Sequence, residues 1–343
     1  MSDFPTLPYP WQQDEWQQLC ALIGVGRLPH ALMLTGPAGI GKHHLALALA
    51  QRLLCEAPVM DTPCGKCRSC LLNRAQTHPD LLWLTPEEEG KAIKVDQVRE
   101  LSETLGKTAQ QGGYKVVILA PADAMNTNAA NALLKSLEEP ADKTLLLLIS
   151  ANPSSVLPTI RSRCQLRLMP LPPREQVLHW LRPLLAGQSL SAEALVEAAE
   201  GAPLKALSYL ESDELEQRTQ WLEQLGRVSL GQLSPLEVAA QWQNSQVGSL
   251  LEWLVSLVQG LVRWQLGVSD TRIQTWPQAL REQLLDLSPA LVHRYLEKLL
   301  QTRRLWLSGA NPNKQLLLEE LLLDWSALLR AGKSRRPLAS GHS

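Results

Sequence analysis

Gly36-Pro-Ala-Gly39-Ile-Gly41-Lys42, followed by His43, has the spacing of a phosphate-binding loop. Glycines let consecutive backbone N–H groups point at one anion, the following helix start adds positive potential, and the Lys reaches the terminal phosphates. The pattern wants Ser or Thr directly after the Lys, because that hydroxyl holds Mg²⁺. His43 stands there instead. A nucleotide hydrolase also needs an apolar strand ending in carboxylates that hold the metal and orient the attacking water. The run Lys115-Val-Val-Ile-Leu119 is present, but Ala120 and Pro121 follow it, and the first carboxylate, Asp123, lies beyond the Pro. Without the metal, charge neutralisation and positioning fail together, and these supply nearly all of phosphoryl-transfer catalysis. The expectation is a degenerate loop in which Gly36, Gly39, Gly41 and Lys42 bind phosphate weakly or stay empty, with no productive ATP binding and no hydrolysis by the chain alone.

A second group of residues points to metal chemistry. Cys64-Gly-Lys-Cys67-Arg-Ser-Cys70 places three thiols with two residues between each, and Cys55 lies upstream at a predicted helix end. Tetrahedral Zn²⁺ takes four thiolates from such knuckles, and Gly65 eases the turn. The spacing is shared with the opening of a ferredoxin cluster run, but Arg74 occupies the place of the next Cys that such a run needs. The expected site is a structural zinc held by Cys55, Cys64, Cys67 and Cys70, closed to chemistry, with His78 as substitute ligand should Cys55 lie too far. Cys20 and Cys164 stand apart and read as packing residues.

The elements that must position these groups follow from periodicity and punctuation. Residues 1–10 are Pro-rich and extended, and 11–23 form an amphipathic helix. The apolar run 31–34 is a buried strand, and 43–55 the helix after the loop. A cysteine-rich insert at 55–80 interrupts the alternation. Strands are expected at 81–84, 115–119, 144–149 and 165–168, with helices at 95–107 and 128–138. Strands alternating with helices mean a parallel sheet covered on both faces. After Pro170-Leu-Pro-Pro173 the strand signal ends, and 175–185, 192–199 and 203–210 read as short helices of a lid. From about residue 212 the chain reads as all helical. Ser234-Pro235-Leu-Glu237 has the form of a capping box with Pro at the first helical position, Ser288-Pro289 repeats the cap-plus-Pro device, and the Leu-rich run 316–323 belongs to a final helix.

Bulk composition narrows the function classes. The 343 residues suffice for two or three domains, and 45% hydrophobic with 20% charged residues mark an ordered globular chain. A formal charge of −1 is unlike a protein that holds DNA by itself, so any nucleic-acid contact would be shared with partners. No run approaches the ~18 apolar residues of a membrane helix, and no secretory signal pattern opens the chain. A cytoplasmic setting is expected, where six cysteines favour metal or packing roles over disulfides. The eleven Trp against one Phe are scattered without a motif and read as core filling.

Four further stretches carry a family resemblance. Asn131-Ala-Leu-Leu-Lys-Ser-Leu-Glu-Glu-Pro140, Leu157-Pro-Thr-Ile-Arg-Ser-Arg-Cys164, the four-cysteine insert and Leu28-Pro-His-Ala-Leu32 resemble bacterial clamp-loader subunits of the AAA+ class. The specific motifs run from the N-terminus to about residue 210; beyond that only the helical character and the Leu-Ser-Pro helix start agree. The resemblance implies an AAA+ core at 1–170 with the zinc module at 55–80, a helical lid at 171–211, an all-α collar at 212–332 that joins subunits into a ring-like heteropentamer, and a disordered tail at 333–343. It implies a stator subunit of a replicative DNA polymerase assembly: partners are the gamma/tau ATPase subunits and the delta subunit, with the sliding clamp and primed DNA reached through the complex. DNA-directed DNA polymerase activity would belong to that holoenzyme, not to this chain. In such subunits the Ser-Arg-Cys motif, here Ser162-Arg163-Cys164, sends its Arg into a neighbour's ATP site, so Arg163 is the expected residue acting in trans, and Arg161 supports the interface. Active relatives carry another Arg on the lid after Gly201-Ala-Pro; Leu204 holds that place, with Lys205 beside it.

Two other readings compete. One is an ATP-hydrolysing motor of the gamma/tau type, against which Ala120-Pro121 stands. The other is a zinc-dependent nucleic-acid-binding module with a decayed nucleotide fold, against which the near-neutral charge and the lack of a stacking aromatic array stand.

Overall fold

The computed structural model describes residues 4–88, 91–111, 113–186, 191–210, 212–307 and 312–333. The chain forms two compact units, Met1–Ser212 and Asp213–Ser343. The tail expected at 333–343 lies outside the described residues from 334 onward.

The first unit is built on five parallel strands, β1 (Ala31–Thr35), β2 (Leu81–Leu84), β3 (Lys115–Leu119), β4 (Thr144–Ser150) and β5 (Gln165–Leu168), in the order β2-β3-β4-β1-β5. Every residue of β1, β3 and β4 is buried, which explains why these strands read as continuous apolar runs rather than alternating ones. Alternate residues still choose faces. Leu32, Leu34, Val116, Ile118, Leu145 and Leu147 pack with α1 (Gln13–Gly24) and α2 (Lys42–Leu54). Met33, Val117, Leu119, Leu146 and Leu148 pack on the opposite face with α4 (Val95–Leu105) and α5 (Thr127–Glu138). Between α2 and β2 the chain makes the short α3 (Arg68–Arg74), and α6 (Pro158–Arg161) precedes β5. Three further helices, α7 (Arg174–Leu184), α8 (Ala192–Ala198) and α9 (Pro203–Ser208), complete this unit. A parallel sheet with helices on both faces is thus what the alternation of strands and helices predicted.

The regular elements among the described residues of the second unit are all helices: α10 (Glu214–Ser229), α11 (Pro235–Trp242), α12 (Val247–Gln265), α13 (Thr271–Gln274), α14 (Gln278–Leu285), α15 (Pro289–Leu307) and α16 (Lys314–Lys333). Trp221, Trp242 and Trp253 cluster ring against ring. Trp325 donates its indole N–H to Ser229 Oγ at 2.9 Å and Trp276 donates to Leu222 O at 3.2 Å, so these buried rings satisfy their polar edges.

Three expectations need correction. The helix expected from residue 11 opens as a 3-10 turn, Pro10–Gln12, because the Gln12 side chain folds back to accept from Tyr9 N at 3.0 Å. Ser234 caps α11 through a single bond from Leu236 N at 3.3 Å and not through a reciprocal box with Glu237. Trp83 is 47% exposed, since β2 is an edge strand with one side open, so not every Trp fills a core.

Candidate functional site

The phosphate loop leaves the carboxyl end of β1, the edge of an open parallel sheet where ligands bind in such folds. Gly36 has φ +144°, and a Cβ there would stand 2.0 Å from Met169 O, so no other residue fits. Gly41, at φ +87°, sits directly before α2 with the Tyr9 ring over it. Lys42 is the first residue of α2 and only 6% exposed. Its ammonium turns back onto the loop, donating to Gly36 O at 2.7 Å and Pro37 O at 2.6 Å. Burial lowers its pKa to about 8 against the opposing charge of Asp123. Desolvation, and then the Lys42 charge, lower the His43 pKa as well, so at neutral pH the residue in the hydroxyl's place is an uncharged imidazole.

Neighbouring segments hold the loop from both sides. Trp11 Nε1 donates to Ile40 O at 2.9 Å, and Gln12 Nε2 to Ile40 O at 3.1 Å and Gly41 O at 2.8 Å. Tyr9 stacks on His44 with ring centres 4.0 Å apart, and Trp180 of α7 meets the Tyr9 and Trp11 rings edge-on. From α9, Leu204 N donates to Gly39 O at 2.9 Å. A cavity of about 560 Å³ remains beside the loop, bordered by Lys42, His43, Trp83, Pro121 and Leu204 among others. Of the positions expected to bind phosphate, Gly36, Gly39, Gly41 and Lys42 therefore lie together, with Lys42 and Gly39 engaged by the protein itself.

Beside the loop, β3 ends at Leu119 and Ala120-Pro121 follow it as the sequence indicates, with Ala120 N bonded to Leu84 O. Asp123, which sequence spacing set beyond the pattern, is turned back to the sheet edge. Its Oδ1 accepts from Ser150 Oγ at 2.7 Å, and its charge reaches Lys42. Ser150, the polar end of the apolar β4 run, was the missed signal for this pair.

Arg163 lies on the turn between α6 and β5. Its Nη2 meets Glu138 Oε1 at 2.6 Å and its Nη1 donates to Thr159 O at 2.9 Å, with both charged side chains more than a third exposed. Cys164 is buried beneath it, and burial pushes that thiol up to about 12, as suits a packing residue.

The sulfurs of Cys55, Cys64, Cys67 and Cys70 all lie within 4.8 Å of one another. Cys55 and Cys67 are 4.0 Å apart and Cys64 and Cys70 3.9 Å, close to the edge of about 3.8 Å in a tetrahedron with metal–sulfur bonds near 2.3 Å. Backbone N–H groups point at two of the sulfurs: Cys64 N reaches Cys55 Sγ at 3.2 Å, and Cys67 N reaches Cys64 Sγ at 3.4 Å. Backbone N–H groups of Lys66 and Cys67 bring the Cys64 thiol down to about 6. Four thiols in this arrangement could hold a metal ion. His78 is not needed; its Nδ1 accepts from Asp80 N at 3.1 Å, outside the cluster. Among the described residues, no helix is long and apolar enough to cross a membrane.

The family profile for "DNA polymerase III, delta subunit" matches residues 11–172, and that for "DNA polymerase III, delta subunit, C terminal" matches 212–327. The DNA polymerase III subunit delta' of Pseudomonas aeruginosa is 43% identical over 93% of this chain and 98% of its own length. The chain belongs to the DNA polymerase III delta' family. The Escherichia coli delta' subunit is 32% identical over 94% of this chain and 97% of its own. The E. coli tau subunit of the same polymerase is 33% identical to 54% of this chain, covering 29% of tau.

Proposed function

We propose that this chain is the stator of the DNA polymerase III clamp loader, the assembly that loads a sliding clamp onto primed DNA. In this reading it hydrolyses no ATP itself and supplies Arg163 in trans to a neighbouring ATPase subunit. The observation that carries it is the state of the phosphate loop. Lys42 is spent on the loop's own carbonyls, and the two supports that Mg²⁺ needs are replaced by His43 and by Ala120-Pro121. Arg163 stands in the opposite condition, on a surface turn with a planar, permanently charged fork at the end of a long stem. A guanidinium brought from outside neutralises charge on a transferring phosphate, worth orders of magnitude in rate.

In the same reading residues 1–170 are the nucleotide-type core, 171–211 the lid and 212–332 the collar through which the cytoplasmic heteropentamer assembles with gamma/tau and delta subunits. Zinc is the metal that Cys55, Cys64, Cys67 and Cys70 would hold; bound there, it would supply folding energy to the insert and no catalysis. The likeness to tau favours a motor instead, but a motor needs the metal supports that this chain lacks. The isolated chain with Mg–ATP tests the choice. A stator gives no turnover above buffer, whereas turnover comparable to that of the partner ATPase subunits would make the chain a motor.

A further inference from the structure

Glu138 is the last residue of α5, and Glu139 follows it. The C-terminal end of a helix is its negative end, so a carboxylate there is locally disfavoured. Glu138 finds its compensation in Arg163, whose Nη2 it holds at 2.6 Å. The second terminal nitrogen, Nη1, donates to Thr159 O at 2.9 Å. These two contacts, with a longer one from Nη1 to Ser162 Oγ at 3.5 Å, fix the guanidinium plane.

Both partners stand on rigid supports. Leu137, next to Glu138, is buried, and its carbonyl meets His30 Nε2 at 3.0 Å. Ile160 and Cys164 are buried on either side of Arg163, and Arg163 N donates to Ile160 O at 3.1 Å. The charged heads themselves remain at the surface, 36% and 48% exposed. An ion pair this exposed adds little to folding, so stability is not what it supplies. What it supplies is direction, because a long arginine side chain otherwise spends rotamer entropy each time it is placed.

We propose that Glu138 is a positioning residue for Arg163, holding the guanidinium in one orientation before the neighbouring nucleotide site closes on it. This rests on the trans reading of Arg163 given above. Glu138 touches no substrate; it acts through the arginine alone.

The test is the DNA- and clamp-stimulated ATPase of the reconstituted complex, carrying Glu138→Ala, Glu138→Gln, Arg163→Ala or the Glu138→Ala/Arg163→Ala pair. Glu138→Ala is expected to lower kcat roughly 3- to 10-fold, with KM for ATP and the chain's Tm unchanged, because orientation and not binding is lost. Glu138→Gln keeps an acceptor oxygen and recovers part of the rate. The double variant matches Arg163→Ala, as expected of two residues on one path. A wild-type rate for Glu138→Ala beside a slow Arg163→Ala overturns the positioning role alone, as does a double variant slower than Arg163→Ala by the full Glu138→Ala factor. A wild-type rate for Arg163→Ala removes both the trans reading and this one.

Discussion

The phosphate loop and the Arg163 corner are made of the same kinds of parts and put them to opposite use. Each has a long cation on a tightly anchored turn. At the loop, Lys42 points inward, and its ammonium donates to two loop carbonyls, those of Gly36 and Pro37, while Trp11, Gln12 and Leu204 occupy further loop carbonyls. At the corner, Arg163 points outward, held by one carboxylate and one carbonyl at the surface. A cation satisfied by its own backbone is a structural element. A cation displayed on a rigid turn is available to something else. On the proposed reading, the difference teaches that a chain can keep the frame of a phosphate loop for stability while its contribution to a reaction moves to another edge of the sheet.

The largest expected effect falls on the corner. Arg163→Lys keeps the charge but loses the planar fork, and the stimulated ATPase of the reconstituted complex should fall at least roughly 10-fold. A full rate with Lys would reduce Arg163 to a surface charge and erase the contrast. At the loop the effect should be on folding. Gly36→Val drives a side chain into Met169 O and should cost roughly 2–4 kcal/mol in denaturant unfolding, while activity per folded molecule in the complex stays near wild type. An unchanged unfolding midpoint would show that the loop is not the structural element described here.

The cysteine module extends the same contrast, since Cys55 directly follows α2, the helix that the loop begins. If the cluster holds zinc as proposed, replacing Cys64 and Cys67 together by Ser releases it and lowers Tm by roughly 5 °C. Unchanged metal content in the purified variant would remove zinc from the picture. The smallest effect concerns Lys42 and pH. Burial lowers its pKa from 10.5 to about 8, so the folded chain holds that proton less tightly than the unfolded chain does. Below pH 8 both states are charged and the folded state bears the full cost of burying the ammonium. As pH rises from 8 toward 10.5 the folded state sheds the proton first and the cost falls. Wild type should therefore gain stability relative to Lys42→Met across that window, and a pH-independent difference would mean the ammonium is not desolvated.

Much of the frame was readable from residues alone. The runs at 81–84 and 115–119 are strands at those very residues, because an apolar run flanked by turn-formers has few alternatives, and the polar–apolar alternation of Gln165-Leu-Arg-Leu168 likewise forms a strand at the residues expected. The cysteine spacing likewise converges on one cluster, since knuckles are local. What stayed hidden depends on long-range packing. Asp123 and Ser150 are separated by 27 residues and meet only because β3 and β4 are neighbours in the sheet. Trp11 reaches Ile40 and Leu204 reaches Gly39 across stretches that no local pattern links. Trp83 looked like core, and only the strand order puts it on an edge. Glu138 belongs to a motif noticed for its resemblance, yet its bond to Arg163 comes from the packing of α5 beside α6.

One measurement weighs the two regions directly: the stimulated ATPase rate of the reconstituted complex with Lys42→Ala in this chain, beside the same complex with Arg163→Ala. A stator that acts only on its neighbour predicts a Lys42→Ala rate within roughly twofold of wild type and an Arg163→Ala rate lower by roughly 100-fold or more. A large loss with Lys42→Ala and a normal rate with Arg163→Ala would contradict it, and would return the working site to the phosphate loop.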